Sequence, residues 1–147
     1  MNDLYNQDFY LWTTKSAQLI KDKQFDDVDW ENLIAEIISL GKSEQRAIRS
    51  HLAILLQHLL KWQYQSEHQS RSWRNSIDNA RDDLSELLED NPSLKGDFLA
   101  DSLPAAYSKA RKKAADETTI YLENFPEDCP YTINEILSPE FLPKEQQ

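Results

Sequence analysis

Residues 43 to 64 read SEQRAIRSHLAILLQHLLKWQY, and this stretch decides the fold. Large apolar side chains recur in it at steps of four and three residues: Ile48, Leu52, Leu55, Leu59 and Trp62. A helix with about 3.6 residues per turn brings such positions onto one face, whereas a strand requires alternation. The stretch therefore predicts a central α-helix from about Ser43 to Tyr64, buried along one side.

The helical period continues towards the amino terminus. It predicts a first helix from about Gln7 to Lys23 and a second from about Trp30 to Leu40, with Asp29 as the N-cap of the second. This second segment is too apolar for a face left in water, so we expect it to be packed. Gly41 is suited to a left-handed helix end, which favours a break or kink there. One long helix is the alternative, because the apolar stripe nearly continues through Gly41.

The chain is also helical beyond Tyr64. A helix is predicted from about Arg71 to Glu89, followed by a short one that Asn91-Pro92 opens. Ser102 and Pro104 repeat that start signal, and the helix that they begin reaches about Thr118.

From Phe125 the chain changes to prolines and short helical turns, with a capping box at Thr132 and Glu135. Apolar side chains are too frequent between Phe125 and Leu142 for a free acidic tail. The sequence thus predicts an all-α fold, a helical bundle of four main helices with short helices at the C-terminal end strapped across it. We expect a single domain over 1–147, with a core bundle at about 5–124 and the strap at 125–142.

Composition excludes several classes of function. The chain has 16 basic and 26 acidic residues, a net charge of −10, which opposes wholesale binding to phosphate backbones. Its two glycines, Gly41 and Gly96, lie too far apart for a phosphate loop, a dinucleotide-binding turn or a nucleophile elbow. Cys129 is the single cysteine, which favours a reducing compartment, and we expect a cytoplasmic protein with no export signal or membrane span.

Four motifs carry a resemblance to a known family. They are LIAEIISLGKSE at 33–44, HLLKWQYQ at 58–65, RSWR at 71–74 and FPEDCPY at 125–131. Together they resemble the bacterial Domain of Unknown Function family 29, from about Tyr5 to Leu142. The resemblance implies a compact helical domain with no assigned activity or ligand, so it carries over no functional residue.

The candidates for metal binding are His51 and His58. They lie seven residues apart, about 10 Å along a helix, so they cannot hold one ion between them alone. Carboxylates such as Asp8 or Glu36 would have to complete a site between helices, and no Glu-x-x-His motif occurs. No nucleophile has a base at a recognisable spacing. We therefore assign no catalytic residue and no cofactor.

A basic and aromatic segment supplies the interaction candidates. Residues 42–81 contain seven basic and three acidic side chains, a net of +4, and the rest of the chain sums to −14. Their aromatic rings could contact a protein or stack on bases; alternatively they are core, and the cations face the acidic stretch 114–147. The candidates are Lys61, Trp62, Tyr64, Arg71, Trp73 and Arg74. A second basic run consists of Lys109, Arg111, Lys112 and Lys113, which is typical of a solvated helix face.

Three functional hypotheses follow. The leading one is a non-enzymatic protein-interaction or regulatory domain, because the helices are amphipathic, the charges are segregated and catalytic spacings are missing. The alternative is a metal-binding helical-bundle enzyme that uses His51 or His58. The third is nucleic-acid binding through the segment from Lys42 to Arg81. We expect a protein partner rather than nucleic acid or a membrane, and a homo-oligomer stays open.

Overall fold

The computed structural model describes residues 3–145. Within them there are six α-helices and no β-strand: α1 (Leu4–Gln7), α2 (Phe9–Lys21), α3 (Trp30–Tyr64), α4 (Arg71–Asp90), α5 (Asp97–Glu117) and α6 (Ile133–Leu137). Short 3-10 turns connect them, at Phe25–Asp27, Ser66–His68, Pro92–Leu94 and Leu122–Asn124. The predicted all-α class is confirmed, and four of the helices are long.

Helix α3 continues through Gly41, so the predicted break there is wrong. Gly41 does not adopt a positive φ, and a Cβ built on it would meet nothing within 4 Å. A glycine costs a helix interior only about 1 kcal/mol relative to alanine. That cost is too small to interrupt 35 residues of helix with an apolar stripe on both sides of the glycine.

The first predicted helix, from about Gln7 to Lys23, corresponds to α2, and the separate short helix α1 precedes it. The carboxylate of Asp8 accepts a hydrogen bond from the backbone N–H of Leu11 at 3.0 Å and so caps α2. One further boundary differs from the prediction. Helix α5 passes through Pro104, so the predicted helix start at Ser102 is wrong. The Ser102 hydroxyl instead donates to the carbonyl of Phe98 at 2.7 Å, inside the helix.

The chain forms two compact units, one up to Ser43 and one from Glu44 onward. In the N-terminal unit, Trp12 of α2 is buried, and its ring contacts that of Tyr5 edge to face at 4.9 Å. The hydroxyl of Tyr5 donates to the carboxylate of Glu36, which ties α1 to α3. The single domain over 1–147 stays a prediction.

The C-terminal unit has the larger hydrophobic core. The predicted stripe of α3 is confirmed, because four of its five side chains are fully buried and Trp62 packs half-buried against them. Helices α4 and α5 supply the opposing side chains. The core side chains that are wholly inaccessible to solvent include Ile48, Leu52, Leu55, Leu59, Ile77, Leu84 and Leu99.

The segment 125–142 belongs to this same core. Phe125, Tyr131 and Ile136 are buried in it, and the predicted capping box of Thr132 and Glu135 is present at the start of α6. The strap is therefore packed across the C-terminal unit, as the sequence predicts.

Candidate interaction site

Two of the predicted interaction residues, Trp62 and Tyr64, pack against the hydrophobic core. Both side chains are half-buried. The ring of Tyr64 meets that of Phe125 edge to face at 5.2 Å, and the carbonyl of Trp62 accepts a hydrogen bond from the side chain of Gln69 at 2.9 Å. Tyr64 thus helps to hold the strap, and Trp62 helps to hold the loop between α3 and α4.

The other four candidates differ in their surroundings. The Lys61 ammonium lies 5.1 Å from the centre of the Trp73 ring and 3.3 Å from the carboxylate of Glu117. Arg74 pairs with Asp78, one turn further along α4, at 3.3 Å. Arg71 is exposed. The six residues therefore do not form one free surface, and their role in partner binding stays a prediction.

His51 and His58 both lie half-buried on α3. In residues 3–145 no group of three or more histidine, cysteine, aspartate or glutamate side chains is arranged to hold a metal ion. Burial lowers the pKa of His58, and the nearby Lys61 lowers it further against a smaller opposing effect of Glu117. The imidazole of His58 is accordingly held neutral at neutral pH.

A groove lies between α3 and α5, and the sequence did not single it out. It consists of two adjoining cavities of about 220 and 280 Å³, which share Ser50, Ala53 and Lys109 in their linings. Its floor is made of small side chains, because alanines face each other across the helix pair. The floor residues are Ser50, Ala53, Ala105, Ala106 and Ala110.

Four cations line this groove: Arg46 and Arg49 from α3, and Lys109 and Lys113 from α5. One carboxylate also lines it, that of Glu117, which pairs with Lys61 at 3.3 Å. None of them forms an ion pair with another of residues 3–145. Arg49 lies over the ring of Phe98, with its guanidinium carbon 5.6 Å from the ring centre. The two basic runs of the sequence thus converge on one surface of the C-terminal unit.

The remaining members of the second basic run lie elsewhere. Arg111 donates two hydrogen bonds to the carbonyl of Phe125, at 3.1 and 3.3 Å, and so anchors the start of the strap. Lys112 is exposed and is absent from the lining of the groove. The exposed helix face predicted for the run therefore holds for Lys109, Lys112 and Lys113, but Arg111 has a structural role.

The first half of α3 exposes large apolar side chains. Ile34, Ile37 and Ile38 are 53%, 59% and 53% exposed, so the prediction that this segment is packed is wrong for that face. Helix α1 contacts a different side of α3, where Tyr5 donates a hydrogen bond to the half-buried Glu36.

The fold and its groove define an all-α protein with several cations on a surface between two helices. The chain matches the family described as Domain of unknown function DUF29 over residues 4–142, and it belongs to that family. The resemblance seen in the sequence is confirmed, and the family's description assigns no activity or ligand. No curated protein and no solved structure matches the chain. Across residues 3–145, no helix has the length and apolar character needed to cross a membrane.

Proposed function

We propose that this protein is a non-enzymatic interaction domain that binds an acidic, amphipathic helix of a partner protein in the groove between α3 and α5. The observation that carries the proposal is the convergence of Arg46, Arg49, Lys109 and Lys113, without carboxylate partners, on a floor of small side chains. The proposal includes a reducing, cytoplasmic location in a bacterium, which the single cysteine supports.

The charge of the groove supports an acidic ligand. The chain as a whole has a net charge of −10, so a general attraction to anions is not expected. Four unpaired cations on one small surface create a local potential of the opposite sign. Such complementarity selects an acidic partner and raises the rate of encounter.

The shape of the groove supports a helix as the ligand. The two adjoining cavities, of about 220 and 280 Å³, follow the helix pair from Arg46 to Gln57 on α3, so the groove is elongated rather than a single compact pocket. A shallow groove with an alanine floor accepts a row of side chains from one face of a helix, and flanking carboxylates would reach the cations on both walls. This is the helix-in-groove mode of peptide recognition.

The test uses a fluorescein-labelled synthetic helix with leucine along one face and glutamate on both flanks. We expect this peptide to bind, and we expect a matched peptide with glutamine in place of glutamate to bind at least about tenfold more weakly, a loss of about 1.4 kcal/mol. Fluorescence anisotropy at several salt concentrations measures both affinities, and the affinity for the glutamate peptide should fall as salt rises.

Variants of the protein locate the binding surface. Lys109→Glu combined with Lys113→Glu should abolish binding of the glutamate peptide, because it reverses the charge of one wall. Lys112→Glu is the matched control, since it places the same charge on the same helix outside the groove. Equal loss in the control, or no binding of the glutamate peptide to the native chain, would overturn the proposal. So would tighter binding of RNA or DNA through the same residues, which would make nucleic acid the ligand.

A further inference from the structure

We infer that two copies of this chain pair through the exposed apolar face in the first half of α3. This dimer face consists of Trp30, Ile34, Ile37, Ile38 and Leu40, together with Phe25, whose ring lies 6.4 Å from that of Trp30. The surface is separate from the groove between α3 and α5. The inference therefore goes beyond the proposed function and stands independently of it.

The first argument is the continuity of the stripe along α3. Helical spacing of three and four residues puts Trp30, Ile34 and Ile37 on the same face as Ile48, Leu52 and Leu55 further along. From Ile48 onward this face is completely buried in the core of the C-terminal unit. Before Gly41 the equally apolar face is exposed, by 53% at Ile34 and 59% at Ile37.

The second argument is the size of the dimer face. The exposed fractions of its six side chains run from 43% at Trp30 to 68% at Leu40. If a large side chain presents roughly 200 Å² when fully exposed, the six expose on the order of 600 Å². Two copies together would remove about 1,200 Å² from water, the lower end of the range for specific protein interfaces.

The third argument is charge. Residues 32–41 include a single charged side chain, Glu36, and its carboxylate accepts a hydrogen bond from Tyr5 within the N-terminal unit. Two copies of a chain with a net charge of −10 repel each other, so they can associate only where no carboxylates are opposed. The middle of the dimer face, from Ile34 to Leu40, meets that condition, and interface cores are depleted in charged residues in the same way. The acidic Asp26, Asp27 and Glu31 lie at its edge, beside Phe25 and Trp30.

A twofold axis near Ile37 would pair the two faces, because an isologous contact joins one patch to its own copy. The two α3 segments would then run antiparallel, with Ile34 of one chain near Leu40 of the other. Gly41 lies on the same face and has no neighbour within 4 Å, so the backbones can approach closely there.

Sedimentation equilibrium of the full chain tests the inference. We expect a mass of twice 17.2 kDa at high protein concentration. Ile37→Glu should raise the dissociation constant at least about 100-fold, because it buries two unpaired carboxylates near the axis. Ile37 is 59% exposed, so we expect this variant to keep the fold, which circular dichroism would check.

Two comparisons make the test decisive. Ser39→Glu adds the same charge to the opposite, exposed side of α3 and should leave the dimer intact. Higher salt should tighten the dimer, since it screens the repulsion between acidic chains, whereas it weakens binding in the cationic groove. A native chain that remains monomeric at high concentration, or a dimer that Ile37→Glu does not weaken more than Ser39→Glu does, would overturn the inference. The Lys109→Glu and Lys113→Glu variant should dimerise normally, which separates this result from that of the proposed function.

Discussion

Arg81 is a buried cation that forms no ion pair with a carboxylate of residues 3–145. Only 2% of the residue is exposed. Its guanidinium donates to three backbone carbonyls of the strap, those of Ile136 at 2.8 Å, Phe141 at 3.0 Å and Pro139 at 3.4 Å. Burial lowers the pKa of Arg81, while the nearby Asp78 raises it. The planar guanidinium presents its donors in fixed, divergent directions, whereas a lysine donates from a single nitrogen atom.

Replacing Arg81 should therefore weaken the whole C-terminal unit. We expect Arg81→Met to lower the free energy of unfolding by about 2–3 kcal/mol, because it leaves buried carbonyls without donors. Arg81→Lys should recover less than half of the loss. Urea unfolding followed by tryptophan fluorescence measures both. Arg71→Met, an exposed site on the same helix, should change stability by less than about 0.5 kcal/mol, and equal effects at the two sites would contradict this role.

His58 should give the stability of the protein a specific pH dependence. Its pKa in the folded state is lowered by burial from the ordinary value of 6.5, so the unfolded chain takes up a proton first as pH falls. The free energy of unfolding is therefore at its full value above pH 6.5, and it decreases as pH falls from that value towards the folded-state pKa of His58. We expect His58→Gln to flatten this part of a curve of unfolding free energy against pH.

The matched control is His68→Gln, because His68 is exposed. This variant should keep the slope of the native chain between pH 7 and the range where carboxylates titrate. If His58→Gln and His68→Gln have identical slopes, the slope does not come from the burial of His58.

Helix α3 shows that the burial of apolar side chains outweighs local signals for the end of a helix. A helix cap contributes about 1 kcal/mol through its hydrogen bond, and a glycine costs a helix about 1 kcal/mol through the entropy of the unfolded chain. Burial of a single leucine contributes about 1.5–3 kcal/mol, and α3 buries a whole row of them. The central helix, the extent of α4 and the capping box of α6 could thus be predicted, whereas the local signals at Gly41 and Ser102 were overridden.

Gly41 offers a direct measure of this balance. Gly41→Ala should raise the free energy of unfolding by about 1 kcal/mol, because it lowers the entropy of the unfolded chain and the added methyl group has free space. Gly96→Ala is the control, since Gly96 stands at the N-cap of α5, where alanine is disfavoured. Urea unfolding at low protein concentration, where self-association does not contribute, measures both. A gain at Gly96 as large as that at Gly41 would contradict the helical explanation.

The groove shows what sequence periodicity could not supply. Its cations come from α3 and α5, and only the pairing of these two helices brings Arg46 and Arg49 to Lys109 and Lys113. A signal was nevertheless present. In both helices cations recur at steps of three or four residues beside alanines, and that combination is typical of a close helix contact bordered by charge.

At the scale of the whole molecule, ion pairs and packed side chains have different roles in holding the acidic C-terminal stretch. The acidic stretch 114–145 meets the basic segment 42–81 in one ion pair of the described residues, between Lys61 and Glu117. The strap itself is held by its carbonyls and rings: Tyr107 donates to the carbonyl of Pro126 at 2.6 Å, and Tyr131 donates to the side chain of Gln63 at 2.7 Å. Three carboxylates of the strap, those of Glu127, Asp128 and Glu140, are exposed, and the fourth, Glu135, caps α6.

Deleting everything after Asn124 should therefore destabilise the protein severely. Such a truncation removes the buried side chains Phe125, Tyr131 and Ile136, and each contributes about 1.5–3 kcal/mol, so the sum approaches the net stability of an ordinary domain. We expect loss of cooperative thermal unfolding, as measured by circular dichroism, and aggregation through the exposed core.

The control is a full-length chain with Glu127→Gln, Asp128→Asn and Glu140→Gln, three exposed sites in the strap. This variant should keep its unfolding midpoint, because exposed charges contribute little. An unchanged midpoint in the truncated chain would show that the strap does not stabilise the core, and a large loss in the neutralised chain would show that carboxylates rather than packing hold it.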